Sequence, residues 1–206
     1  MKTILAVIFF GILAFAFADY PSIPKCTHPP AMANFNQKKF LEGKWYVTKA
    51  KHGSNSTVCR EYRAKTKGND QILVGDGYYS FNGGTFYFTV RCKRLPNKEV
   101  QKPLQFTCTQ KSPDDPSKMF KFQLEVTILD TDYANYAVMY RCVQFPEELG
   151  SHFEDNTLLL HRKLDQLVDE NLIERKLKLS LPSFKSRDDV VEGCRELPSK
   201  KKKTKP

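Results

Sequence analysis

The sequence predicts an all-β fold of about eight antiparallel strands, arranged as an up-and-down barrel or a sandwich and followed by a helix. Residues 120–128 (FKFQLEVTI) alternate apolar and polar side chains without a break, which is typical of a strand with one buried face. Similar short segments, separated by turn residues, run from Trp45 to Arg162. Beyond Arg162 the apolar side chains recur at helical spacing. A closed barrel would leave no exposed sheet edge.

The strand segments follow one another along the chain. The first begins at Trp45, and the others are predicted at residues 57–65, 71–79, 86–92, 104–108, 120–128, 134–144 and 156–162. Asn82-Gly83-Gly84 precedes one of them and predicts a hairpin turn, since glycine readily supplies a positive φ. A barrel of this size encloses either packed side chains or one small ligand.

Two helices are predicted after the last strand. Leu164, Leu167, Val168 and Leu172 fall at helical spacing with charged residues between them, which indicates a helix packed on the outside of the barrel. Residues 186–191 begin with a serine followed by acids, the pattern of a short capped helix.

The two ends of the chain are not expected to belong to the fold. Residues 1–18 combine a basic start, an apolar run and an Ala16-Phe17-Ala18 cleavage pattern, which predicts a secretory signal peptide and hence secretion. The run is short for a span of about 20 residues, so no membrane span is predicted. Residues 19–198 then form one domain, and residues 199–206 form a disordered lysine-rich tail.

The net charge of +10 lies mostly at these ends. About +4 remains in the body when Lys2 and the five tail lysines are left out. The tail is either a solvated end or an attachment to anionic surfaces such as membranes or heparin-like glycans, and the solvated end is favoured. No nucleic-acid partner is predicted, and the protein is expected to be a monomer.

The six cysteines are expected to be oxidised if the chain is exported. An even number indicates three disulfides, and the absence of a CxxC pair argues against a metal site. They are Cys26, Cys59, Cys92, Cys108, Cys142 and Cys194. Asn55-Ser56-Thr57 is a glycosylation sequon, with Asn55 as the acceptor.

Three motifs carry a resemblance to a known family. Gly43-Lys44-Trp45 opens the first strand, Thr131-Asp132-Tyr133 lies between the sixth and seventh strands, and Arg162 ends the last one. In this order they resemble the three signature regions of the lipocalins. The resemblance implies a closed eight-stranded barrel in which Trp45 plugs one end and Arg162 packs across its indole as a cation–π contact.

The resemblance narrows at residues 58–62 (VCREY) and 131–142 (TDYANYAVMYRC). Together with the six cysteines they resemble the salivary lipocalins of blood-feeding triatomine bugs, nearest the triabin and pallidipin branch. That branch implies the disulfides Cys26–Cys142, Cys59–Cys194 and Cys92–Cys108. The last pair also flanks one predicted hairpin.

The barrel interior is the expected ligand site. If Trp45 faces inward, alternation places Lys49 on the same face. The candidate ligand-binding residues are Lys49, Tyr78, Phe86, Phe88, Phe106, Phe120, Phe122 and Arg141. The aromatic side chains could instead fill a core, and Lys49 could already reach water. A buried cation needs a partner, which a ligand carboxylate or phosphate could provide.

The favoured function is that of a salivary protein that scavenges a small mediator of the host and so inhibits platelet aggregation. A cationic rim favours an anionic ligand, such as a thromboxane-type eicosanoid or ADP. A biogenic amine would require an acid such as Asp76. The alternatives are a leukotriene binder, an inhibitor that binds a coagulation or platelet protein by surface contact, as the resemblance to triabin implies, and a salivary protein without a specific ligand.

Neither catalysis nor a cofactor is expected. The sequence has no G-x-S-x-G, HExxH or P-loop motif, and its histidines and serines show no triad spacing. The family also includes haem-carrying nitrophorins, whose proximal histidine lies on the strand that is 76–80 here. No histidine is present in that segment, so haem binding is not predicted.

Overall fold

The computed structural model describes residues 20–67, 70–81, 84–95, 103–115, 117 and 119–198. The predicted signal peptide, the lysine-rich tail and two residues of the predicted 82–84 turn lie outside these ranges.

The fold is a closed barrel of eight antiparallel strands, as the sequence predicts. The described residues form these eight strands and three further ones. In chain order they are β1 (Ser22–Ile23), β2 (Lys44–Ala50), β3 (Glu61–Lys67), β4 (Asp70–Val74), β5 (Gly77–Phe81), β6 (Gly84–Arg94), β7 (Leu104–Lys111), β8 (Met119–Thr131), β9 (Tyr136–Gln144), β10 (Phe153–His161) and β11 (Lys185–Ser186). The ring runs β2–β3–β4–β6–β7–β8–β9–β10, and β10 pairs back with β2. Outside this ring, β5 pairs with β6, and β1 and β11 have only two residues each.

Three short α-helices accompany the barrel in the described part of the chain. They are α1 (Gln37–Phe40), α2 (Asn55–Val58) and α3 (Glu170–Leu177). The Asp169 carboxylate accepts the backbone N–H of Leu172 and so caps α3 at its first residue. The predicted C-terminal helix therefore exists, but it starts later than expected.

The buried face of α3 also differs from the prediction. Ile173 is its buried residue, whereas Leu164, Leu167 and Leu172 are exposed. The expected second helix at 186–191 is wrong, because β11 pairs with β2 and a turn follows it.

Two strand predictions need correction as well. Residues 55–58 form α2, so the segment predicted as 57–65 becomes a strand only at Glu61. The segment 71–79 is broken into β4 and β5, which both pair with β6. Asp76 lies in the break, where its carboxylate accepts the Val90 N–H at 3.0 Å and forms an ion pair with Arg91.

The side chains of the segment 71–79 face the opposite way from the prediction, on both sides of the break. Leu73 packs in the barrel interior opposite Cys92, and the ring of Tyr79 meets Phe88 at 6.0 Å. Tyr78 points outward and meets the ring of Tyr87 at 5.5 Å. The prediction that Tyr78 lines the ligand site is therefore wrong.

Apolar side chains pack on both sides of the barrel wall. Inside, Trp45, Phe106 and Leu158 belong to one buried cluster. Outside, Ile173 of α3 and Phe184 pack on the outer face of the wall formed by β8, β9 and β10. The C-terminal segment is thereby fixed to the barrel by apolar burial.

The three disulfides have the pairing that the resemblance implies. Cys26–Cys142 joins the N-terminal segment to β9, and Cys59–Cys194 joins the end of α2 to the C-terminal segment. Cys92 and Cys108 lie opposite each other on β6 and β7. Two of the bridges thus fasten the chain ends to the barrel.

Candidate functional site

The closed end of the barrel is built on Trp45. Its indole is 2 % exposed, and its Nε1–H donates to the Phe40 carbonyl at 2.9 Å. The Arg162 guanidinium lies over the indole, 3.6 Å from the ring centroid. Arg162 also donates hydrogen bonds to four backbone carbonyls, those of Lys39, Glu42, Lys44 and Tyr133. One side chain therefore ties three segments of the chain together.

The remaining signature residues shape the backbone around Arg162. Gly43 has a φ of +66°, and a Cβ there would lie 3.4 Å from Arg162 Nη1. The Asp132 carboxylate accepts three backbone N–H groups in its own loop, which lowers its pKa although burial acts in the opposite direction. The Thr131 hydroxyl accepts the Tyr133 N–H at 2.9 Å. These contacts have a structural role.

Along β2, the alternation of inward and outward side chains shifts by one residue at Thr48. Val47 pairs with Leu160 and Lys49 with Leu159, so Thr48 forms a bulge. Beyond it Ala50 is inside and fully buried. Lys49 points outward to an ion pair with Glu170 of α3 at 3.0 Å. The expectation that Lys49 faces the ligand site is therefore wrong, because one extra residue reverses the alternation.

Two arginines occupy the barrel interior above the apolar floor. Arg141 on β9 faces inward, as expected, and is 7 % exposed. Arg60, just before β3, is 8 % exposed. Neither guanidinium has a carboxylate partner among the described residues, and both Nε atoms lack a hydrogen bond there. Buried cations without an acid are rare, because removing a charge from water is costly unless the charge is paired.

Tyrosine rings and hydroxyls surround these cations. The Arg60 guanidinium lies 4.1 Å from the centroid of the Tyr79 ring, and that of Arg141 lies 4.9 Å from the Tyr20 ring. The Tyr20 hydroxyl bonds to Thr57 Oγ1 of α2 at 2.6 Å. Burial tends to raise the pKa of Tyr20, but Arg60 and Arg141 outweigh it and hold this pKa below its usual value.

The cavity near the floor of the barrel is small. A cavity of about 10 Å³ lies near the floor, lined by apolar side chains that include Trp45, Phe106 and Met139. That is room for roughly one water molecule. Above the floor, the side chains of Arg60, Arg141 and Tyr20 are packed in the interior. Ligand pockets for small organic molecules commonly measure about 300–1,000 Å³.

The predicted aromatic residues divide into two groups. Phe88 and Phe106 are core residues, 5 % and 1 % exposed. At the open end, Phe120 and Phe122 contact each other and Phe145 at 6.0–6.4 Å between ring centroids. Phe86 is 42 % exposed. The mouth is therefore aromatic, but it leads down to the buried arginines.

Comparison with known proteins shows the family of the chain. The family model described as Triabin matches residues 18–172. Triafestin-2 of Triatoma infestans is 92% identical over 202 residues, covering 98% of each chain. The chain belongs to the Triabin family. Dipetalodipin of Dipetalogaster maximus is 32% identical over 94% of this chain and 100% of its own. A platelet inhibitor of Triatoma infestans, triplatin-2, is 29% identical over 69% of this chain and 75% of its own.

A solved structure supports the fold of this Triabin-family chain. The biogenic amine-binding protein superposes with a TM-score of 0.62 at 18% identity, covering 82% of this chain and 90% of its own. Such similarity shows the shared barrel, and fold alone does not determine a ligand. No helix in the described part of the chain is long and apolar enough to span a membrane.

The ligand-binding residues predicted from the sequence of this Triabin-family chain do not include Arg60, Tyr20 or Tyr79. Arg60 was open to detection, because Arg60, Tyr62 and Ala64 alternate along one face. Tyr20 left no such signal, since it reaches the interior from an N-terminal segment held by β1 and the Cys26–Cys142 disulfide.

One cluster offers three atoms that could bind a metal. Cys26, His28 and Glu125 place one ligand atom each within 4.8 Å of the others. The Cys26 sulfur is bonded to Cys142, so it is not available as a thiolate. His28 bonds instead to Glu125 at 2.7 Å and Thr127 at 2.8 Å. These bonds fix the N-terminal segment on β8.

A groove on the outside of the barrel, the outer groove, is larger than the cavity near the floor. It measures about 590 Å³ and lies between β2, the end of β10 and the C-terminal segment. Its lining is Thr48, Lys49, His161, Leu164, Asp165, Gln166, Leu167, Val168, Glu170, Ser186, Arg187, Asp188, Gly193 and Cys194. His161 is 7 % exposed, and neither ring nitrogen has a partner among the described residues.

His161 should make stability depend on pH. Burial lowers its pKa in the folded chain, an effect that Glu170 and Asp188 oppose and Lys49 reinforces. As the pH falls below about 6.5, the unfolded chain binds this proton first, so the folded state loses stability. We expect thermal unfolding curves of the His161→Gln variant to shift less than those of the wild type between pH 7 and pH 5. Equal shifts would contradict this.

Proposed function

We propose that this Triabin-family chain is a secreted inhibitor of host haemostasis that acts by binding a host protein on its outer surface. The carrying observation is that Arg60, Arg141 and the Tyr20 ring are buried in the barrel interior, where a scavenger needs a chamber. Three disulfides are consistent with an oxidising, extracellular environment. A relative named as a platelet inhibitor points to the same process.

The contrast between interior and surface supports this ranking. The interior cavity of about 10 Å³ is too small for an eicosanoid or a nucleotide. The outer groove of about 590 Å³ lies beside two exposed leucines, Leu164 and Leu167. Exposed apolar side chains around a groove often mark a protein interaction site. The sequence favours binding of a small ligand inside the barrel. Because Arg60, Arg141 and Tyr20 are buried there, binding of a protein at the surface is the better-supported function.

Purified protein tests the proposal in two assays, clotting of recalcified plasma and aggregation of washed platelets. We expect inhibition in at least one, with no heat of binding in calorimetric titrations with ADP, a thromboxane mimic, leukotrienes, serotonin or haem. Inhibition that disappears when a single small mediator is added in excess over the protein would contradict surface binding.

A second candidate function is supported by the two buried guanidiniums. Arg60 and Arg141 lack a carboxylate, and a ligand carboxylate or phosphate could supply the missing charge. Such a ligand would have to displace the Tyr20 side chain, since the Tyr20 ring covers Arg141. The protein would then scavenge a small anionic mediator, as the sequence first suggested.

Two substitutions test this second candidate by calorimetry. For any anionic ligand that binds, Arg141→Gln should weaken affinity at least tenfold, because a charge-assisted hydrogen bond contributes roughly 1.5–3 kcal/mol. Tyr20→Ala should strengthen it by removing the competing ring. Arg63→Gln is the matched control, since Arg63 pairs with Glu61 on β3. Unchanged affinity in Arg141→Gln would exclude the interior site.

A further inference from the structure

The outer groove combines features that its structural role does not require. Leu164 is 51 % exposed and Leu167 is 92 % exposed, although both line the groove. Leu172 and Val191, which flank it in sequence, are 53 % and 99 % exposed. Burying such aliphatic side chains would be favourable by about 25 cal/mol per Å². The groove therefore offers apolar contact area to a partner.

The charges of the groove indicate the sign of that partner. Its two cations are already engaged: Lys49 pairs with Glu170, and Arg187 donates to the carbonyls of Val47 and Val58. Two further groove carboxylates are those of Asp165 and Asp188, of which Asp188 interacts electrostatically with Arg187 without a direct ion pair among the described residues. Three carboxylates of the lining thus outnumber its two cations, on a protein whose net charge is +10.

His161 supplies a second, independent sign of an absent partner. It is 93 % buried at the base of the groove, and both of its ring nitrogens lack hydrogen bonds there. An imidazole in its neutral form presents one acceptor nitrogen and one N–H. A buried polar group without a partner is costly, so a bound donor would relieve that cost.

We propose that the outer groove is a docking site for a segment of a partner protein that carries basic side chains beside aliphatic ones. The basic groups would pair with Asp165 and Asp188 and reach His161, and the aliphatic groups would pack on Leu164 and Leu167. The inference rests on the proposed function, for which it names the contact surface and the chemistry of the partner.

A pair of synthetic peptides provides the direct test by calorimetry with the full chain. The basic peptide acetyl-LRLLRL-amide is expected to bind saturably at one site, and its acidic counterpart acetyl-LELLEL-amide is not. Because the protein carries positive charge overall, non-specific attraction would favour the acidic peptide. Equal binding of both, or preference for the acidic one, would overturn the proposal.

Exposed substitutions locate the site without endangering the fold. Leu167→Asp and Asp165→Lys should each weaken binding of the basic peptide at least tenfold. Leu95→Asp is the matched control, since Leu95 is 39 % exposed just beyond β6, away from the groove. If Leu167→Asp and Asp165→Lys bind the basic peptide as well as the wild type does, the groove is not the site.

The same variants separate this inference from the proposed function. If the wild type inhibits clotting or aggregation and Leu167→Asp inhibits equally well, surface inhibition stands and the groove is overturned. If the wild type inhibits in neither assay, the proposed function fails, whatever the peptides show. Loss of inhibition in Leu167→Asp and Asp165→Lys, with inhibition kept in Leu95→Asp, supports both.

Discussion

Replacing Arg162 with alanine is expected to lower the free energy of unfolding by about 3 kcal/mol, the sum of a cation–π contact and charged hydrogen bonds to carbonyls. The side chain lies on Trp45 and donates to carbonyls on either side of Gly43 and in the loop after β8. Without it, the indole would lose its cover and those carbonyls their donors. Urea unfolding followed by tryptophan fluorescence measures the change, since Trp45 is the single tryptophan.

Two variants sharpen this result. Arg162→Lys keeps the charge but cannot reach several carbonyls at once, so it should recover only part of the loss. Lys163→Ala, at the exposed neighbouring position, should change the free energy of unfolding by less than about 0.5 kcal/mol. An Arg162→Ala protein as stable as Lys163→Ala would show that the closed end does not depend on this side chain.

Replacing Cys26 and Cys142 together by alanine is expected to lower the free energy of unfolding by about 5 kcal/mol, because this disulfide closes a long loop in the unfolded chain. The two cysteines are 116 residues apart in sequence. Loss of the bridge also releases the segment that carries Tyr20. Thermal and urea unfolding of the paired variant measure the effect.

The matched comparison is the Cys92–Cys108 bridge, which spans 16 residues. The same loop model gives about 3 kcal/mol for so short a span, so the difference between the two variants should be about 2 kcal/mol. A loss below 1 kcal/mol for the Cys26–Cys142 pair would mean that β1 and the His28 contacts hold the N-terminal segment without help.

Alternation along the chain predicted the barrel wherever the strands are regular. β7 and β8 pair without a bulge between Leu104 and Val126, so the inward positions of Phe106 and Phe122 follow directly from parity. Parity failed where the backbone inserts a residue, since the bulge at Thr48 turned Lys49 outward. Tyr78 was assigned to the wrong face for another reason: Leu73 and Tyr79 both face inward, so the alternation holds across Asp76 and the odd-numbered side chains are the inward ones. Which set faces inward depends on pairing with distant strands, which local patterns do not reveal.

The residues of the candidate sites could likewise be predicted only where they lie on regular strands. Arg141 was placed inward because it shares parity with Met139, and Arg60 was detectable in the same way. Tyr20 reaches the interior only because the chain folds back along β10. The outer groove is assembled from β2, β10 and the C-terminal segment, which no local pattern brings together. The helical spacing of Leu164 and Leu167 predicts that they are buried, whereas both are exposed.

The central claim is that this protein inhibits through its surface and not through its interior. The most direct test compares wild type, Arg141→Gln and Leu167→Asp protein in the assay, plasma clotting or platelet aggregation, that the wild type inhibits. Equal inhibition by the wild type and Arg141→Gln is expected, with at least tenfold weaker inhibition by Leu167→Asp. Inhibition lost in Arg141→Gln and kept in Leu167→Asp would contradict it and assign the activity to the barrel interior.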